Sequence, residues 1–409
     1  MRLNFLGGGD EVGGLACHMT NNGTRLLLDY GYHPAEPPRY PPPPPDFDQA
    51  LLTHAHLDHS GTVAWLTGND YKVISTPPTA KLAAFMAVDS LKIATFEGYS
   101  IPFDEEDVRL MEAGFLHTHY ERKRVVEDLE VTLHSAGHIP GATMYQIDGE
   151  DRTLFTGDLN TIPMRLVNGA KPVKCDTLVI ETTYAGRDHP PRRELEHDLR
   201  AKVEEVVDRH GRVIIPAFAM GRTQEMMMVL FDLGLEIWVD GMGTKLTKTM
   251  LEDPHYLADA HELARAETAI NPVWSAKGRA MAQRGDVIIT TSGMLHGGPV
   301  MTYLRAMGAD KRNAVLLTGY QVPGTNGRTL MTDGYVVDEG ETIKVDAEVE
   351  FFDFSAHAGH KELKDFIRGC APQRLVLMHG DNREAMAEEF PTDPEVFLPV
   401  NGQPLDLDI

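Results

Sequence analysis

Apolar residues along this chain come in short blocks, most of them closed by a glycine, an acid or a histidine. Arg25-Leu26-Leu27-Leu28-Asp29, Leu154-Phe155-Thr156-Gly157-Asp158, Leu178-Val179-Ile180-Glu181 and Leu375-Val376-Leu377-Met378-His379 follow this form, and Ala50-Leu51-Leu52 is closed by Thr53-His54. Such runs are too short and too uniformly apolar for amphipathic helices, and they predict buried strands. Leu129-Glu130-Val131-Thr132-Leu133-His134 alternates instead, which predicts a strand with one face buried. A second strand-and-helix pattern begins near Arg187. It holds the helix Arg193-Glu194-Leu195-Glu196-His197-Asp198-Leu199-Arg200 and strands around Val213-Ile214-Ile215, Asp286-Val287-Ile288-Ile289 and Asn313-Ala314-Val315-Leu316-Leu317. The class is α/β.

At 409 residues the chain is too long for one compact core, so two domains are expected. The pattern places the first over residues 1–186, an inserted second over 187–344, and a return to the first over 345–409. The proline-rich tract from Pro34 to Pro45 reads as a stiff surface excursion. Hydrophobic residues make up 42% and charged residues 24% of the chain, as in an ordinary soluble globular protein. No apolar run reaches transmembrane length and Met1 to Gly8 has no signal-peptide shape, so a cytoplasmic protein without membrane contact is expected. Cys17, Cys175 and Cys370 are far apart and odd in number, which argues against a disulfide framework or a cysteine metal site.

The chemistry concentrates in Thr53-His54-Ala55-His56-Leu57-Asp58-His59-Ser60-Gly61, directly after an apolar run. Imidazole and carboxylate are zinc ligands. On extended backbone His54 and His56 point the same way, while Asp58 and His59 reach a second point nearby, which suits two adjacent metals. Further candidates stand at strand ends: His138 in Ser135-Ala136-Gly137-His138-Ile139-Pro140-Gly141, Asp158 and His379. Loops at strand ends converging on one edge are how α/β folds build sites.

The net charge of −23 opposes nucleic-acid binding through phosphate neutralisation. Bound divalent metal would add local positive charge that the formal count omits. Arg122-Lys123-Arg124, Arg187, Arg192-Arg193, Arg222 and Arg328 are candidates to line a cleft. A high-salt cytoplasm is another source of such acidity, so charge alone does not choose the substrate.

Taken together these motifs resemble the β-CASP family of the metallo-β-lactamase superfamily, in the branch of archaeal homologues of the cleavage and polyadenylation specificity factor nuclease subunit and of RNase J. The resemblance covers essentially the whole chain. It runs through Asp29, His54-Ala55-His56-Leu57-Asp58-His59, His138, Asp158, Glu181, Phe354-Ser355-Ala356-His357-Ala358-Gly359 and His379. Pro216 to Glu225, Ser292 to Pro299 and Gly319 to Thr325 match patterns of the family's inserted domain. The chain begins directly with its first strand and ends soon after His379, so neither KH-type modules nor the C-terminal domain of bacterial RNase J is expected.

The resemblance implies an αββα sandwich with an inserted α/β β-CASP domain, two Zn2+ per subunit with Mn2+ as an alternative, and a homodimer. It assigns His54, His56, His138 and a shared Asp158 to one zinc, and Asp58, His59, Asp158 and His379 to the other. A hydroxide bridging the zincs would attack phosphorus. His357, oriented by Glu181, would protonate the leaving ribose oxygen, with Asp58 orienting the attacking water. Asp29 is expected behind the ligands rather than among them. Arg222, Ser292, Gly293 and Gly324 are candidate phosphate contacts, although glycine-rich loops also arise for steric reasons. Within the family a histidine at the position of His379 goes with RNA-directed members. The implied function is cleavage of single-stranded RNA in 3′-end processing or decay, endonucleolytic with 5′-to-3′ exonuclease activity as a second mode. A DNA-directed nuclease, a small-molecule metallohydrolase and a non-catalytic scaffold of a processing complex remain alternatives.

Overall fold

The computed structural model describes residues 1–35 and 37–408. Its strands, in chain order, are β1 (Arg2–Gly7), β2 (Ala16–Asn21), β3 (Thr24–Leu28), β4 (Gln49–Leu51), β5 (Val73–Ser75), β6 (Phe115–His117), β7 (Lys123–Val126), β8 (Leu129–Ser135), β9 (Thr143–Asp148), β10 (Arg152–Phe155) and β11 (Thr177–Glu181). There follow β12 (Val213–Pro216), β13 (Ile237–Asp240), β14 (Asn271–Val273), β15 (Val287–Thr290), β16 (Ala314–Leu317), β17 (Tyr335–Asp338), β18 (Glu341–Lys344) and β19 (Glu348–Phe351). The last three are β20 (Arg374–Met378), β21 (Glu395–Phe397) and β22 (Leu405–Asp406). They fall into two compact units.

The first unit spans Met1–Pro163, Asn168–Asp188 and the return from Ala356. It holds two seven-stranded sheets, ordered β22-β1-β2-β3-β4-β5-β6 and β21-β20-β11-β10-β9-β8-β7. Leu3, Phe5, Met19, Leu26, Leu28 and Leu51 from one sheet share a core with Val131, Leu133, Tyr145, Phe155, Val179, Val376 and Met378 from the other. The two sheets are therefore the inner layers of an αββα sandwich. In β8 the predicted alternation holds for Leu129, Glu130, Val131, Leu133 and His134 but not for Thr132, which is buried as well, while β11, flanked by parallel β10 and β20, is buried along its whole length. That difference in position explains why one strand alternates and the other reads as continuously apolar. The helix His360–Cys370 buries Leu363, Phe366, Ile367 and Cys370, the i, i+3, i+4, i+7 spacing of one helical face.

The second unit comprises Met164–Val167 and His189–Ser355. Its six-stranded sheet has the order β14-β13-β15-β12-β16-β19, and every neighbouring pair is parallel. The four central strands are buried throughout, as an all-parallel sheet requires.

The expected division at 344/345 does not coincide with this arrangement. Residues 348–351 form β19, the edge strand paired with β16, so the inserted unit continues past 345. Met164–Val167 also packs with it, since Glu225 accepts the backbone N–H groups of Arg165 and Leu166, each at 2.9 Å.

Candidate metal centre

The residues singled out in the first unit lie at strand carboxyl ends. Asp29 follows β3, the histidine motif follows β4, His138 follows β8, Asp158 follows β10, Glu181 ends β11 and His379 follows β20. His56 has extended backbone (φ −65°, ψ 146°), and Leu57–Ser60 then forms one helical turn. His54 and His56 thus project from extended chain to one side, while Asp58 and His59 ride the turn. Hydrogen bonds from Leu15 N to the Asp58 carbonyl (2.7 Å) and from Tyr30 N to the His59 carbonyl (2.8 Å) fix that turn in place.

One donor atom each from His54, His56, His138 and Asp158 forms a first cluster. His56 Nδ1 is 3.1 Å from His54 Nε2 and 3.0 Å from His138 Nε2. Asp158 Oδ2 is 3.5 Å from His54 Nε2 and 3.6 Å from His138 Nε2. Tetrahedral zinc at its usual bond length would hold its ligand atoms about 3.3 Å apart. The outer ring nitrogens settle which atoms carry lone pairs. His138 Nδ1 donates to the Ala356 carbonyl at 2.7 Å. His54 Nδ1 donates to Thr53 Oγ1 at 3.1 Å, because that hydroxyl spends its own proton on Asp29 Oδ2. Two lone pairs therefore converge beside a carboxylate, an arrangement that a cation stabilises. These residues fit a metal.

Asp58, His59 and His379 form a second cluster. His59 Nε2 is 3.8 Å from Asp58 Oδ2 and 3.1 Å from Asp158 Oδ1, the latter without the alignment of a hydrogen bond. His379 brings Nε2 to 3.6 Å from Asp58 Oδ2 and Nδ1 to 3.5 Å from Asp158 Oδ1. Asp158 thus presents one oxygen to each cluster. Asp29 is not in either. It accepts from Thr53 N, Thr53 Oγ1 and His59 Nδ1, each at 2.7 Å, which turns His59 Nε2 inward.

Charge supports the same grouping. Burial, reinforced by neighbouring imidazoles, holds His54 and His138 well below the ordinary histidine range, so both are neutral, the ligand form. Burial works against ionised Asp58 and Asp158, but His59 outweighs it and both stay below the usual carboxylate range. Burial also opposes a charged His59, and Asp158 and Asp58 override it. Without a metal, His59 is the cation that balances these acids; a divalent ion would take over that role.

A third group joins Asp158, Glu181 and His357. Fully buried Glu181 accepts from Leu159 N (2.9 Å) and His357 Nδ1 (2.9 Å) on one oxygen and from Thr183 N (3.0 Å) on the other. His357 Nε2 then faces Asp158 Oδ2 at 3.9 Å. Burial disfavours its protonation, yet Glu181 and Asp158 raise its pKa to about 9. His360 has a different setting, accepting from Gly186 N and facing Glu389.

Several participants carried no sequence signal. The Ala356 carbonyl and the Gly13 amide, which donates to His379 Nε2 at 3.0 Å, are backbone groups. Thr53 and Thr183, the latter 3.4 Å from His379 Nδ1 through Oγ1, could have been sought as hydroxyls adjoining ligand motifs.

In the second unit Arg222 opens the helix Arg222–Leu230 after β12, Ser292 and Gly293 follow β15, and Gly324 (φ +86°) follows β16. These loops stand at the carboxyl ends of three adjacent parallel strands. Gln321 ties two of them together by donating to the carbonyls of Gly293 (3.1 Å) and Gly319 (2.8 Å). Arg192, considered as a cleft residue, instead pairs with Glu196 and Glu225 and lies over the Phe354 ring.

Comparison with known proteins agrees with this geometry. The metallo-beta-lactamase superfamily matches residues 15–217, the Beta-Casp domain 223–330, and the Zn-dependent metallo-hydrolase RNA specificity domain 342–390. The chain is 34% identical to "Probable RNase MJ4" of Methanocaldococcus jannaschii over 94% of both proteins. It is 33% identical to "RNase aCSPSF2" of Saccharolobus solfataricus, over 99% of this chain and 85% of the relative. "Transcription termination factor FttA" of M. jannaschii is 30% identical over 100% of this chain and 71% of its own length. A crystal structure of a protein of unknown function from Enterococcus faecalis V583 shares the fold, with a TM-score of 0.61 at 13% identity over 99% of each chain.

Proposed function

The chain belongs to the β-CASP family of the metallo-β-lactamase superfamily, and from that premise we propose that it is a metal-dependent ribonuclease. It hydrolyses phosphodiester bonds of single-stranded RNA in the cytoplasm, in 3′-end processing or decay. The observation that carries this reading is the pair of donor clusters meeting at Asp158, with His357 and Glu181 alongside. His54, His56, His138 and Asp158 would hold one Zn2+, and Asp58, His59, Asp158 and His379 the other. When bound, the two ions supply an activated water and offset charge on the phosphate oxygens.

The protein's own groups do the rest. Asp58, besides helping to hold a metal, would orient the attacking water through its carboxylate. Asp29 and Thr53 hold His59 and His54 in the ligand tautomer. His357 carries a proton on Nε2, and Glu181 fixes its ring from the far side, so that the leaving ribose oxygen receives the proton as its bond to phosphorus breaks. The same reading takes Mn2+ as an alternative metal and a homodimer as the assembled form, testable by metal analysis and sedimentation.

The decisive experiment incubates purified protein with 5′-labelled single-stranded RNA and DNA, with and without chelator, beside Asp58→Ala and His357→Ala. Chelator-sensitive RNA cleavage, lost in both variants, is expected. Cleavage that survives both substitutions, or none with added zinc or manganese, would overturn the proposal; preference for DNA would redirect it to DNA.

A further inference from the structure

Three adjacent strands of the second unit, β15, β12 and β16, end at the same edge of a parallel sheet, and two aromatic rings reach the surface in the loops that follow. Phe218 is 41% and Tyr320 42% exposed, while their neighbours Ala217 and Gln321 are buried. A ring that keeps about two-fifths of its surface in water forgoes part of the stabilisation that full burial would give it. Neither ring is on a loose loop. A side chain at position 319 would lie 3.2 Å from Phe218 Cε2, and one at position 293 would lie 3.0 Å from Phe218 N and 3.2 Å from its Cγ. Two glycines thus hold the Phe218 ring at its edge. Its carbonyl also accepts from Thr223 N (3.1 Å) and Thr223 Oγ1 (2.8 Å). Tyr320 sits between Gly319 and Gln321, whose side-chain amide is tied to two loop carbonyls.

We infer that Phe218 and Tyr320 form a rigid platform on which bases of single-stranded RNA stack, beside the glycine loops at Gly293 and Gly324. The inference rests on the reading of the chain as a ribonuclease. A pinned, exposed ring offers stacking area with little entropy left to lose, and stacking accepts any base because every base has a π-face. It also suits the charge. A chain of net charge −23 gains little from general attraction to phosphates, and stacking is indifferent to that deficit.

The test uses the full chain carrying Asp58→Ala, so that bound RNA is not cut. Its affinity for an oligouridine is compared by fluorescence anisotropy with that for a strand of equal length and charge bearing abasic riboses. Base-bearing RNA should bind roughly 5- to 100-fold more tightly for each base stacked. Phe218→Leu and Tyr320→Leu should each shrink that ratio while leaving abasic binding unchanged, and Phe218→Trp and Tyr320→Phe should preserve it. A 2-aminopurine in the strand should be quenched by the parent protein and less so by the leucine variants. Tyr320→Leu, altering an exposed side chain, keeps the test valid if Phe218→Leu fails to fold. An unchanged base-to-abasic ratio in a folded leucine variant overturns the platform. Failure of the unsubstituted chain to cleave RNA overturns the ribonuclease reading instead, so the two failures are distinguishable.

Discussion

Replacing Glu181 by glutamine exchanges one carboxylate oxygen for an NH2 group and tests whether His357 acts through it. The carboxylate receives three N–H groups, from Leu159, Thr183 and His357. The side-chain amide that takes its place has one oxygen to offer and must turn its NH2 toward a donor. If the NH2 faces Thr183, a buried donor pair is left unsatisfied, at a cost of about 1–3 kcal/mol in stability. If the amide turns the other way, His357 loses its acceptor. Either way the imidazole gives up a hydrogen bond to a carboxylate for one to an uncharged amide oxygen or none, a loss of about 1–2 kcal/mol in its positioning. Groups that orient a reactive histidine typically account for about 10- to 100-fold in activity, and a positioned proton donor for about 100- to 10,000-fold. Single-turnover cleavage of labelled RNA should therefore fall about 10- to 100-fold in Glu181→Gln and further in His357→Ala. The double variant should be no slower than His357→Ala alone, since position 181 then has nothing to orient. A substrate whose leaving ribose oxygen is replaced by sulfur, which departs without a proton, should restore most of the rate of both variants. Additive losses in the double variant, or no rescue by sulfur, would refute the assigned roles.

Four other outcomes are expected. Asp29→Asn takes an acceptor from His59 Nδ1 and Thr53, so affinity for one of two metals should drop about 10- to 100-fold, read by metal analysis after dialysis against graded chelator; full retention of both ions would contradict it. Stripping metal should lower the melting temperature and added zinc should restore it, because an ion at about 100 times its Kd contributes about 2.7 kcal/mol; a chelator-insensitive melting curve would exclude a tightly bound ion. Gly31→Ala would place a Cβ 1.9 Å from the Asp58 carbonyl oxygen, so about 1–3 kcal/mol of stability should be lost together with metal at the Asp58 cluster. Cys17, Cys175 and Cys370 are all buried, so a thiol reagent should label none in the native protein and all three after unfolding; rapid native labelling would contradict the packing.

What could be read from the chain was what is local or strongly patterned. The all-buried central strands announced themselves as apolar runs, and the histidine motif needed only extended backbone and one turn. The edge of the inserted sheet did not. In β19 the segment Glu348-Val349-Glu350-Phe351 is half-buried, with Glu348 meeting Lys202 and Arg209. A strand paired on one side only keeps such polar residues, so it reads as a return loop rather than as part of a core. Backbone partners escaped for another reason: the carbonyl that holds His138 belongs to an alanine, and any residue there would supply the same oxygen.

Glu181 lies between these extremes. A carboxylate that ends a fully buried central strand is stable only where donors wait for it, so an acid directly after Leu178-Val179-Ile180 implies a built polar pocket. That Glu181 matters followed from the resemblance to the family. The identity of the donors did not, because two of the three are amides at Leu159 and Thr183 and the third is an imidazole 176 positions away. The long-range partner is the informative one. Two amides would suffice to anchor a structural acid, whereas a histidine held by the same oxygen as Leu159 N, with its far nitrogen turned toward Asp158, is the arrangement on which the proposed delivery of a proton rests.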